Sequence, residues 1–151
     1  MNGDEIKKAY APAAIAAASM TAAPLVYGVA AEVLRRTGYE PPLAGGQASA
    51  AACALYAAAV LPLLSLKVLG AKLGARRATA AETARSLTAA AVLKGAVCEV
   101  PAVAGLLLFV LTGRHREFFA LMLLSIALQV FNFPKLAEWE EKLGPDPGRL
   151  E

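Results

Sequence analysis

The sequence predicts an all-α protein, an integral membrane bundle of four transmembrane helices, and three observations carry that expectation. Of its 151 residues 58% are hydrophobic and only 18% charged, where a soluble domain of this length is nearer half apolar and a quarter charged. The apolar residues fall into four long blocks, more than a soluble core of this size can bury on all sides. Basic residues gather at the ends of those blocks and do not line one polar face, which fits membrane orientation and argues against nucleic acid as a partner. Membrane lipids are the expected surroundings.

A span needs about 20 apolar residues to cross about 30 Å of hydrocarbon. The first is expected at about 10–34, broken only by Ser19, Thr21 and Glu32. It follows Lys7 and Lys8 and is too long for a cleavable signal core. The second is expected at about 47–67, and Arg35 to Pro42 supplies the turn before it, since Gly38 and the Pro41-Pro42 pair cannot continue a helix. The third is expected at about 80–112 and as the longest of the four. Thr79 and Glu82 have capping-box spacing, so this helix starts a turn ahead of the membrane. The fourth, about 118–133, is short enough to ask for local thinning of the bilayer and is stopped by Pro134 and Lys135.

These spans make residues 1–134 a transmembrane domain and 135–151 an amphipathic tail. Leu136, Trp139 and Leu143 recur there at helical spacing among charges, which predicts a short helix resting at the interface, followed by a flexible Gly144 to Gly148 segment. The chain reads as two hairpins joined by the basic connector Lys67 to Ala78. Ten lysines and arginines stand on the side of the amino end, that connector and the tail, against four on the other side. The positive-inside rule therefore predicts both termini in the cytoplasm. Alanine-rich first and second spans allow close helix approach, and Pro24, Pro62 and Pro101 are expected to bend their helices.

Little in the chain suggests chemistry. Cys53 and Cys98 lie inside apolar blocks and read as buried thiols acting as small hydrophobes. With the single His115 they make no metal cluster, so neither metal nor cofactor is expected. No Ser, Cys and His arrangement forms a nucleophilic pair and no glycine-rich phosphate loop is present, so no enzyme is expected. Glu32 with Arg35 and Arg36 reads as an interfacial ion pair, and Tyr27 and Tyr56 as hydrogen-bonding within the bundle.

Glu99 is the exception. It lies about 7.5 Å deeper than Lys94 along the third span, where an ionised carboxylate costs about 3 kcal/mol or more. Two readings stay open. Glu99 is packing glue, with Ser125, Gln129 or Asn132 of the fourth span as candidate partners, or it is an ion- or proton-handling group. Lys94, five residues away and about 140° around the helix, is a poor intrahelical partner and is expected to snorkel to the inner headgroups.

The run Glu99-Val100-Pro101-Ala102-Val103-Ala104-Gly105-Leu106-Leu107-Leu108 resembles the carboxylate segment of the proteolipid (c) subunits of rotary ATPases, in which a membrane-embedded glutamate carries the ion. That family bears its carboxylate in the second helix of a hairpin and has a glycine-repeat first helix, and this chain has neither. As a whole the chain is more similar to small uncharacterised bacterial four-helix membrane proteins, with the same Glu and Gly-Leu segment and a short fourth span ending in Pro-basic. The resemblance implies a multi-pass protein of a bacterial inner (plasma) membrane. Length and span count are also similar to the small membrane glutathione transferases, but Gln47 to Leu66 lacks the arginine, asparagine and glutamate of their second-span signature. The function expected is non-enzymatic: self-association, or a small subunit of a larger membrane complex. The alternative is a proton- or cation-handling proteolipid-like component using Glu99.

Overall fold

A computed structural model describes residues 1–66 and 79–144. Asn2 opens α1 (Gly3–Arg36) with a capping box: its side chain accepts from the Glu5 amide, and the Glu5 carboxylate accepts from the Asn2 amide, each at 2.9 Å. Asp4 and Glu5 in the first turn and Arg35 and Arg36 in the last complement the helix dipole. The cap adds a charged turn ahead of the apolar block, so α1 has 34 residues against 33 in the third helix. The expectation that the third would be the longest is thereby corrected.

α2 (Gly45–Val60) continues into a 3-10 turn, Leu61–Ser65, at Pro62. The missing proline N–H and its ring disfavour further α-helix there. α3 (Ala80–Thr112) begins at the expected capping box, with Glu82 N–H donating to Thr79 Oγ1 at 3.2 Å. It ends at Gly113, whose φ of 73° is the left-handed conformation that glycine adopts without strain. α4 (His115–Phe131) follows directly, and α5 (Leu136–Leu143) is the tail helix. Among the described residues four helical segments are long and apolar enough to cross a bilayer, which makes this a multi-pass membrane bundle. The basic connector at 67–78 and the tail beyond Gly144 lie outside the described residues.

α3 is the hub, packing against α1, α2, α4 and α5. α4 lies closest, because Gly105 removes a side chain where the helices cross. A Cβ there would stand 3.0 Å from the Leu121 Cβ and 3.2 Å from the Phe118 carbonyl oxygen. α1 packs on both α3 and α4, whereas α1 and α2 do not pack on each other among the described residues. The first pair of spans is therefore not a packed hairpin as expected. The second pair is.

At one end of the bundle Ile6, Ala13, Leu87, Trp139 and Leu143 form a buried cluster. Tyr10 sits edge-on to Trp139 with ring centroids 5.7 Å apart, and its hydroxyl donates to the Pro134 carbonyl at 2.9 Å. The apolar side of α5 thus closes on the bundle itself. The amino terminus and α5 share this end, with the Met1 ammonium 3.4 Å from the Leu143 carbonyl oxygen. At the other end, Leu43 N–H donates to the Leu111 carbonyl at 3.0 Å, and Arg114 pairs with Glu117 at 3.2 Å. Ala31, Phe109, Phe118 and Met122 form a second buried cluster towards that end.

Candidate functional site

Each face of α3 has a different neighbour, and Glu99 lies on a boundary between two of them. Cys98, Ala102, Gly105 and Phe109 are buried on the face towards α4. Ala104 and Leu108 are buried with Ala52 and Ala59 of α2. Leu106 and Val110 pack with Tyr27, Ala31 and Leu34 of α1. Between the α1 and α2 sides runs a strip on which Ala89, Val92, Leu93, Ala96, Val103 and Leu107 are all exposed. Glu99 is three residues from Ala96 and four from Val103, so its side chain borders that strip while remaining half-buried.

The Tyr27 hydroxyl of α1 donates a hydrogen bond to Glu99 Oε1, and this is the hydrogen bond Glu99 makes among the described residues. A neutral phenol beside a carboxyl keeps the acid satisfied on one oxygen. It supplies no countercharge.

None of the four side chains weighed as partners of Glu99 is hydrogen-bonded to it among the described residues. Ser125 donates to the Cys98 carbonyl at 2.8 Å, bridging α4 to α3 one residue away from Glu99. Gln129 donates to Ser125 Oγ at 3.3 Å, and its own Oε1 is buried without a hydrogen-bond partner among the described residues. Asn132 turns back on the Leu128 carbonyl at 2.8 Å. Lys94 lines a cavity at the end of the bundle that the amino terminus and α5 share. The reason is rotational: successive helix residues point about 100° apart, so with Cys98 facing α4, Glu99 faces α1. Tyr27 was singled out in the sequence as a mid-span hydroxyl, and the rotation of α3 is what assigns it to Glu99.

The remaining sequence candidates are simpler. Glu32 pairs with Arg35 at 2.8 Å and Arg36 at 2.6 Å, the expected pair at the end of α1. His115 and Tyr56 are exposed. Cys98 is buried as expected, but Cys53 is exposed on the outer surface of α2 because α2 packs on α3 through its Ala48, Ala52 and Ala59 face. Among the described residues no three His, Cys, Asp or Glu side chains come together as a metal site. No protein-family model, curated protein or solved structure matches the chain.

Proposed function

We propose that this is a non-enzymatic protein of a bacterial inner membrane, with both termini cytoplasmic, that self-associates or serves as a small subunit of a larger membrane complex. The observation that carries the reading is the half-buried Glu99 carboxyl, bonded to Tyr27 and bordering the exposed strip of α3 between α1 and α2. A carboxyl partly open to hydrocarbon costs several kcal/mol even when neutral. A further helix seated on Ala96 and Val103 would cover it and could complete its hydrogen bonding. The small residues of the strip suit close approach.

Cysteine placed at Val103 in a background lacking Cys53 and Cys98 tests this by oxidative cross-linking in native membranes. A specific cross-linked product, absent when cysteine is placed at Phe131 on the exposed side of α4, is expected. If Val103 gives no product and the protein counts as a monomer by stepwise photobleaching, association should be abandoned. Orientation has its own test. A reporter fused after Glu151 should read cytoplasmic and one inserted between Gly38 and Ala44 periplasmic, and the reverse pattern would overturn the topology.

The second reading, proton or cation handling by Glu99 as in proteolipid subunits, is favoured by the Tyr27–Glu99 bond, which gives a half-buried protonatable group a polar neighbour. Carbodiimide should then label Glu99 in the parent in a pH-dependent manner, and Glu99→Gln, folded and equally stable, should abolish the label. A parent without pH-dependent labelling, together with a Glu99→Ala variant that is merely destabilised, would make the residue structural.

A further inference from the structure

Outside the Glu99 pair, a group of polar side chains surrounds a cavity of about 220 Å³ at the end of the bundle shared by the amino terminus and α5. α3 contributes Lys94, the elbow between α4 and α5 contributes Asn132 and Lys135, and α5 contributes Glu138 and Trp139. The space is smaller than the roughly 300–1,000 Å³ that holds a whole drug-sized ligand. It is of headgroup size.

The charges around it do not balance. Glu138 is paired with Lys142 at 2.7 Å. That ammonium holds the Glu138 carboxyl below its usual range, with Lys94 and Lys135 adding to the effect. Lys94 and Lys135 themselves have no ion pair among the described residues. Lys94 is half-buried as a residue, whereas Lys135 is exposed. Lys94 and Lys135 therefore face one small cavity without an ion pair of their own, sharing it with the Lys142-paired Glu138 carboxylate, with the buried Trp139 ring behind and Asn132 as a neutral lining group. Lys94 is 18 residues before Thr112, about 27 Å along the helix, which puts it where hydrocarbon gives way to headgroups.

We propose that this cavity binds a phosphate group, held between Lys94 and Lys135. Ammonium side chains bind phosphate as point charges, and basic pockets between spans at the cytoplasmic surface suit anionic lipid headgroups. The same chemistry would accept a phosphodiester of an anionic lipid or a free phosphate from solution, and the experiment separates the two.

The full chain is purified and placed in nanodiscs of phosphatidylcholine with or without phosphatidylglycerol. Lys94 is probed by amine acylation and mass spectrometry, and retained lipid by native mass spectrometry. Phosphatidylglycerol is expected to slow Lys94 acylation and to be retained in preference to phosphatidylcholine. The Lys94→Gln/Lys135→Gln variant should weaken that retention on the order of tenfold. A Lys7→Gln/Lys8→Gln variant, which removes exposed charges at the same end, should leave it within about twofold. Protection of Lys94 by inorganic phosphate in pure phosphatidylcholine discs would assign the site to free phosphate. If neither probe protects Lys94, or the double variant retains phosphatidylglycerol like the parent, the proposal is wrong. The acylation arm uses the unmodified protein, so it decides the matter even if the double variant fails to fold.

Discussion

Tyr27 and Glu99 join two helices by one half-buried hydrogen bond. Interhelical hydrogen bonds in membranes average about 0.6 kcal/mol and reach about 1.7. Tyr27→Phe is therefore expected to lower stability by about 1 kcal/mol in a reversible denaturant titration. Glu99→Gln, which can still accept from the phenol, should cost less. Equal losses for the two would mean that the carboxyl has a partner besides Tyr27. Ser125 gives a contrasting case, because its hydroxyl and the Cys98 carbonyl are fully buried between α3 and α4. Ser125→Ala should leave the Gln129 amide without an acceptor as well, so a loss of about 1–3 kcal/mol is expected. Ser125→Thr keeps the hydroxyl and serves as the control.

Helix existence was legible because long apolar blocks between charges and prolines have few alternatives. Thr79 with Glu82 placed the start of α3 to the residue. The charged start of α1 was missed because Asn2 and Glu5 form a cap outside the hydrophobic block. What the sequence could not convey was rotation. α3 is apolar on every side, so no polar face marks which residues look at α1, α2 or α4. The partner of Glu99 and the exposed strip beside it were unreadable for that reason. At this scale Gly105 provides the test of the α3–α4 crossing. Gly105→Val would press on the Phe118 carbonyl, a backbone atom that cannot rotate away. Overpacking of this kind costs about 1–3 kcal/mol, and a thermal unfolding midpoint unchanged from the parent would show that the helices are not so close.

Across the whole molecule, α5 ties the carboxyl-terminal part of the chain to its beginning. Trp139 is 2% exposed in the cluster with Ile6, Ala13 and Leu87. Trp139→Ala should destabilise the protein by about 3–5 kcal/mol, and hydrogen exchange should accelerate in the first turns of α1 and α3 as well as in α5. Acceleration confined to α5 would mean that the tail helix is an appendage. The amphipathic pattern of the tail was read correctly from sequence, but its apolar side faces the protein, since Trp139 and Leu143 find a preformed cluster there.

The absence of packing between α1 and α2 among the described residues also has a consequence in time. Chains enter the bilayer from the amino end, so these two helices are synthesised before the one that each must pack against. Until α3 is delivered, α1 and α2 have no partner helix among the described residues, and the earliest associations available are those of α1 and α2 with α3, ahead of the α3–α4 pair. A ribosome-stalled chain carrying α1 and α2 alone should therefore show no specific disulfide cross-linking signal between cysteines placed on the two helices. The signal between α1 and α3 should rise only once α3 has left the translocon, so biogenesis of this protein is a queue that the third helix ends.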